Sequence, residues 1–258
     1  MQKTEVKSVS SIIEALRLYD GCEIDVRLTR DRVLVLYHDS TYDHRRLLNT
    51  DFKDLIGVQT LEKLVSHPKV IELINEKGKT LWIDAKEDTA FGLKKDSQFC
   101  RILARKTTDL LKHSKLRLEN VRIISFSTEI LKAISHIRTS RIVPYLFSAT
   151  DLFIPHYNLK TVTQMFISLK RHIHVTKKMG IGGLLFSKLF LDGFFSLFQS
   201  SLEEIKSLEE KDFILGTEAQ SYKEEKDFKD FVIITDYRGE RKDGRGKDAG
   251  SLICHRGM

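Results

Sequence analysis

Apolar positions along the chain change period repeatedly, and the changes divide it into elements. Val9, Ile12, Ile13 and Leu16 recur at helical spacing, and Asp20-Gly21 supplies a stop. Residues 22–27 then read as a short strand, 29–32 as a turn and 33–37 as a second strand. So short a connection cannot carry a parallel crossover, so these two strands are expected to form an antiparallel hairpin. A polar segment follows. Residues 61–74 are helical in pattern with an interruption near Pro68, and Lys77-Gly78-Lys79 turns the chain into a strand over 80–85.

From there helices and strands alternate. The pattern predicts helices over 97–111, 128–137 and 160–178, one or two more within 192–208, and a short polar one over 222–228. Strands fall between them at 121–125, 141–146, 182–186, 213–216 and 231–235. Strands apolar on both faces that alternate with helices predict a parallel sheet. With the return strand of the hairpin set aside, seven strands precede residue 236, and a closed (β/α)8 barrel needs one more. The tail supplies it. Residues 237–250 are charged and glycine-rich with no apolar face and read as a linker, while 251–254 return to apolar residues. Those 14 linker residues reach roughly 45 Å when extended, enough to cross from one barrel end to the other. His255-Arg256-Gly257 then emerges at the rim where the other strands end. The expected fold is a single α/β domain over residues 1–258, a TIM (β/α)8 barrel, which typically takes roughly 250 residues.

Charge and cysteines narrow the partners. The net charge is +7, with much of the excess in residues 238–247. A positive field draws anionic partners such as phosphate esters, nucleic acids or acidic membranes. No basic stretch interleaved with aromatics is present, so nucleic acid is not expected. No apolar run reaches the ~18 residues of a membrane span. Residues 181–198 come nearest, but Ser187, Lys188, Asp192, Gly193 and Ser196 interrupt them. Three cysteines, Cys22, Cys100 and Cys254, are an odd count without metal-type spacing. They read as reduced thiols, and with a polar N-terminus they predict a cytoplasmic protein.

Four short motifs carry candidate chemistry. In Glu23-Ile24-Asp25 the two carboxylates lie two apart on a strand, so they face one side. Adjacent like charges are costly unless a cation neutralises them, and hard oxygen donors favour Mg²⁺ or Ca²⁺ over zinc. His38-Asp39 ends the hairpin, where the carboxylate can orient the imidazole. Asp84 can complete a three-carboxylate cation site, and Lys86, on the same face, can hold a phosphate oxygen. At the C-terminus, Arg256 suits bidentate phosphate binding beside His255. Together these residues describe phosphodiester chemistry. A cation and basic side chains balance the charge, one imidazole accepts a proton and another donates one to the leaving oxygen.

The stretch from Gly21 through Glu23-Ile24-Asp25-Val26 and Thr29-Arg30-Asp31 to His38-Asp39 resembles the glycerophosphodiester phosphodiesterase family. Ile124-Ser125-Phe126-Ser127 is similar to its S-F strand, and Thr235-Asp236 to its closing T-D. The opening H-R-G of that family stands here at His255-Arg256-Gly257. Joining the chain ends restores the usual order, so the resemblance implies a circular permutation in which the usual first strand comes last. It further implies a Mg²⁺- or Ca²⁺-dependent hydrolase with His255 and His38 as the acid–base pair, Arg256 on phosphate, and Glu23, Asp25 and Asp84 as metal ligands. Aspartate stands at 84 where the family usually has Glu in E-x-K, which is similar to the related sphingomyelinase D enzymes. Arg32 replaces the glycine of T-x-D-G. Two other readings accompany this one. In the first, apolar residues within 146–155 and 184–198 hold a lysolipid chain in a lysophospholipase D- or sphingomyelinase D-like enzyme with peripheral membrane contact. In the second, the barrel is non-catalytic and binds anions or nucleic acid.

Overall fold

The structure is a computed structural model, and it describes residues 8–87, 97–143, 171–186, 214–219, 232–235 and 252–254. The chain divides into two compact units, Met1–Thr139 with Leu252–Met258, and Ser140–Ser251.

The first unit opens with α1 (Val9–Leu18). The Ser8 hydroxyl caps it by accepting from Ser11 N at 3.1 Å, and Val9, Ile12, Ile13 and Leu16 are buried, as their spacing predicts. β1 (Gly21–Leu28) follows and is buried on both faces for nearly its whole length. The Thr29 hydroxyl accepts from Val33 N at 2.9 Å and closes a turn in which Arg32 takes φ +62°. β2 (Leu34–Leu36) returns antiparallel to β1 with Val26 opposite Leu36, as expected of the hairpin.

The polar segment after β2 holds more structure than its composition predicts. A small hairpin, β3 (Thr41–Tyr42) with β4 (Arg45–Arg46), leads into two short 3-10 turns. Leu47, Leu55 and Val58 pack on Val35 and Tyr37 as a separate apolar cluster, with Tyr42 and Phe52 against it. These apolar residues are too widely spaced to show a period.

The helical stretch expected over 61–74 is interrupted near Pro68, as its pattern predicts, and forms two helices, α2 (Leu61–Val65) and α3 (Pro68–Asn75). Pro68 lacks the N–H that a continuous helix requires, so it starts a second helix at a position that needs none. β5 (Thr80–Ala85) runs parallel to β1 with Cys22 opposite Leu81 and Asp25 opposite Asp84. α4 (Ser97–His113) crosses to β6 (Val121–Ser125), which is parallel to β5.

α5 (Thr128–Lys132) is shorter than the expected 128–137, and His136 takes φ +65°, a conformation no helix continues through. β7 (Arg138–Val143) begins three residues before the expected 141. After the exposed Arg138 come two polar yet buried residues, Thr139 at 7 % and Ser140 at 0 % exposure, so apolarity does not mark this start as strand.

β11 (Leu252–Cys254) belongs to the first unit and lies parallel to β1, with Ile253 opposite Gly21 and Cys254 opposite Cys22. Ile253 is fully buried. One edge of β1 is therefore shared. β11 takes Gly21 and Cys22, β2 takes Val26 to Leu28, and Glu23, Ile24 and Asp25 stand between them. A glycine is required at 21, because a Cβ there would collide with Thr80 and with Ile253 Cδ1.

The second unit is also parallel. β7 pairs with β8 (Gly183–Phe186), β8 with β9 (Ile214–Ala219), and β9 with β10 (Val232–Thr235). Residues 171–178 are helical, within the helix expected over 160–178. The helices expected within 192–208 and over 222–228 and the linker 237–250 lie outside the described residues. The fold is thus α/β, with mostly parallel strand pairing within each unit, as the alternation predicts.

Candidate functional site

The parallel register of β1 and β5 builds the site. Residues opposite one another in parallel strands share a face, and so do residues two apart along a strand. Glu23 and Trp82 form one row, and Asp25 and Asp84 the next row toward the strand ends. Three carboxylates therefore converge. Glu23, Asp25 and Asp84 are 2 %, 7 % and 3 % exposed, and each offers an oxygen within 4.8 Å of the others.

Lys86 continues the same face past Asp84. Its Nζ lies 3.0 Å from Asp25 Oδ1 and also pairs with Asp84 Oδ2. Burial alone would lower this ammonium, but Asp84, Asp25 and Glu23 together outweigh burial and raise it above its ordinary value. Asp84 is pushed up, chiefly by burial and further by Asp25, against the opposing pull of Lys86 and Arg27. The expected phosphate-binding residue thus stands among the carboxylates as their counter-charge.

The donor set fits a divalent cation. Three buried carboxylates supply hard oxygens, and Asp84 Oδ1 is buried with no hydrogen-bond partner among the described residues.

His38 follows β2. Its Nδ1 lies 2.7 Å from Asp39 Oδ1, and both side chains are partly exposed. The hydrogen bond from Tyr37 N to Asp25 O, at 3.1 Å, brings the end of β2 back beside the carboxylate strand. His255 and Arg256 lie outside the described residues, as do 146–155 and 187–198 of the proposed lipid surface. Within the rest of that surface, Leu184 and Leu185 are buried. No helix among the described residues is long and apolar enough to cross a membrane.

Three neighbours of the site have roles that motif reading does not assign. Arg27 donates from Nε to His38 O at 2.7 Å and from a terminal nitrogen to Glu87 O at 3.1 Å. Phe126, 39 % exposed, has its ring centroid 5.7 Å from Lys86 Nζ. It sits in a turn fixed by Ser125, whose hydroxyl donates to Ala85 O at 2.6 Å and accepts from Ser127 N at 3.1 Å. Arg122 lies over the Trp82 ring, 5.3 Å from its centroid, and donates to Thr139 O at 3.2 Å. Burial, and secondarily Arg138, lowers its guanidinium to about 10, so it stays charged at neutral pH. The available signal for Arg27 was its position two past Asp25 on the carboxylate face.

A family model described as the glycerophosphoryl diester phosphodiesterase family matches residues 7–183. No curated protein matches the chain significantly. Among solved structures, a glycerophosphodiester phosphodiesterase from Parabacteroides distasonis is similar at a TM-score of 0.59 and 17 % identity, over 96 % of this chain and 85 % of that one. A phosphodiesterase from Oleispira antarctica, in complex with the product sn-glycerol-3-phosphate, is similar at 0.53 and 15 %, over 81 % and 76 % of the two chains. A third, described as a glycerophosphoryl diester phosphodiesterase from Agrobacterium tumefaciens, is similar at 0.56 and 11 %, over 95 % and 85 %.

Proposed function

The chain belongs to the glycerophosphoryl diester phosphodiesterase family and is an enzyme of that class, and from this premise we propose how its residues carry the reaction. The substrate is a glycerophosphodiester, and the products are glycerol 3-phosphate and an alcohol. Glu23, Asp25 and Asp84 hold one divalent cation, Mg²⁺ or Ca²⁺. When bound, such an ion supplies charge stabilisation for the phosphoryl oxygens. Arg256 and Lys86 add positive charge on the phosphate. His38 and His255 form the acid–base pair. One takes the proton of the attacking hydroxyl, either of water or of the neighbouring glycerol hydroxyl by way of a cyclic phosphate. The other protonates the leaving oxygen.

The observation that carries this reading is the shared edge of β1. β11 rises along it and reaches Cys22 with Cys254, while β2 descends along it until Tyr37 N meets Asp25 O. In the sequence, His38 follows Tyr37 and His255 follows Cys254. β11 and β2 approach the gap at Glu23 and Ile24 from opposite directions. Continued by strand alternation, position 255 would share the face of Ile253 and of Glu23. This supports a circularly permuted TIM barrel spanning residues 1–258 as one domain, with 237–250 as the linker. The Oleispira antarctica enzyme, with glycerol 3-phosphate as its product, supports the choice of substrate.

Release of choline is the test, with glycerophosphocholine and lysophosphatidylcholine as paired substrates and EDTA as the control; glycerol 3-phosphate accompanies choline from the first and lysophosphatidic acid from the second. We expect cation-dependent turnover of the water-soluble diester. His38→Ala and His255→Ala are each expected to cost about 10²–10⁴-fold in kcat. Near-wild-type hydrolysis by both variants would sink the histidine assignment. A clear preference for the lysolipid would replace the substrate with a lipid diester.

A further inference from the structure

Arg27 spends two of its donors on main-chain carbonyls, although several carboxylates stand near. Nε reaches His38 O at 2.7 Å and a terminal nitrogen reaches Glu87 O at 3.1 Å. These carbonyls lie on separate segments, each leaving the sheet where Arg27 meets it. The last ladder-type bonds before them are Tyr37 N to Asp25 O at 3.1 Å and Lys86 N to Val26 O at 3.0 Å. One segment carries the imidazole of His38. The other leads out of β5 directly after Asp84 and Lys86.

We propose that Arg27 is a positioning residue, which holds the His38 turn and the Lys86–Glu87 exit of β5 at one fixed separation. It thereby sets where the imidazole stands relative to the carboxylate site. The catalytic part of this proposal rests on the reading of His38 as one of the acid–base pair.

The chemistry of arginine suits this task. A guanidinium is planar and permanently charged, and its donors are fixed in a fork, so two acceptors bound through different nitrogens are held at a set angle. A lysine ammonium keeps the charge but concentrates its donors at one point on a flexible stem. Separately, the positive charge of Arg27 favours the ionised form of Asp84. Arg27→Lys keeps that charge effect and removes the fork, so it separates the two roles.

The experiment compares the full-length chain with Arg27→Lys and Arg27→Ala, by steady-state kinetics on glycerophosphocholine and by amide exchange. Misplacing a reacting group by about 1 Å costs on the order of 10²-fold, so kcat of Arg27→Lys is expected to fall about 10–100-fold with KM within about threefold. Methylguanidinium is expected to restore part of the kcat of Arg27→Ala, and methylammonium is not. Loss of one or two hydrogen bonds is expected to speed exchange at Tyr37, His38, Lys86 and Glu87 by about fivefold or more, with β6 unchanged.

Unchanged kcat in Arg27→Lys overturns the proposal, as does a rise in KM alone, which would mark direct substrate contact. Should Arg27→Ala fail to fold, Arg27→Lys decides. Should the wild-type chain itself turn over no diester, the functional reading fails, while amide exchange still decides the clamp. Unchanged exchange refutes it.

Discussion

Removing Lys86 is the sharpest perturbation of the carboxylate site. Its side chain is 14 % exposed, and the side chains of its partners Asp25 and Asp84 are 6 % and 4 % exposed. Lys86→Met keeps the stem volume and deletes the charge, leaving three buried carboxylates together. Breaking a buried ion pair on one side costs about 3–5 kcal/mol. For a chain of this size each kcal/mol lowers Tm by about 2–4 °C, so a loss of roughly 6–20 °C is expected.

The pH dependence follows from two opposite signs. In the folded chain Lys86 is raised above its ordinary 10.5. Its contribution is therefore fully present below that value and lost only as pH rises through the folded one, so at neutral pH all of it is at stake. Asp84 is raised as well, so the folded chain holds its proton more tightly than the unfolded chain, and this group adds stability as pH falls. Without the opposing pull of Lys86, Asp84 rises further. The Tm gap between Lys86→Met and wild type should therefore be wide at pH 8 in EDTA and narrower at pH 5. Excess Mg²⁺ or Ca²⁺ should also narrow it at pH 8, because an ion that binds only the folded state stabilises it. Scanning calorimetry at the two pH values, with and without cation, reads all of this. A loss below about 6 °C, which is the ~3 kcal/mol floor for a broken buried pair at about 2 °C per kcal/mol, would refute the reasoning. So would a gap indifferent to both pH and cation.

Two further outcomes test the scaffold. Gly21→Ala drives a methyl into Thr80 and Ile253, at the contact that seats β11 on β1. Overpacking of this kind costs about 1–3 kcal/mol, read by urea unfolding, and a neutral result would mean that β11 is not packed there as described. Thr60→Ala removes the acceptor for Lys63 N at 3.1 Å that caps α2, with an expected loss of ~1 kcal/mol in the same assay. A loss near zero would show that water replaces the cap.

Much of this architecture was legible because burial on both faces leaves a plain mark. β5 and β6 are short, largely apolar runs and β1 alternates apolar with charged residues, all bounded by turns, and the structure finds them within a residue or two of their expected limits. The convergence of Glu23, Asp25 and Asp84 also followed from alternation once the strands were known. Elsewhere the controlling interaction lay far away in sequence. The Val35–Tyr37 side of β2 collects Leu47, Leu55 and Val58 across a polar stretch, and no local period announces that cluster. Thr139 and Ser140 are buried polar residues in β7, so a reading by apolarity starts that strand late. The clamp of Arg27 escaped for another reason. Its acceptors are backbone carbonyls at 38 and 87, and any residue type offers a carbonyl.

Register also accounts for which acid stands where. Asp25 and Asp84 are directly opposite on neighbouring parallel strands, whose backbones lie about 4.8 Å apart. At that spacing two short side chains on one face bring their carboxylates together without bending either strand. Glu23 starts one row lower, opposite Trp82, and two residues along a strand advance it by roughly 6.6 Å. A carboxylate in that row must reach along the strand to join the other two, and the extra methylene of glutamate supplies part of the reach. Trp82 fills the space across from it and is itself covered by Arg122, so the lower row is closed by an aromatic ring and the upper row by charge. The aspartate at 84, which departs from the glutamate of the E-x-K pattern, is thus matched to its partner. With Asp25 directly opposite, the shorter acid lets one ammonium, Lys86 two residues on, touch both carboxylates.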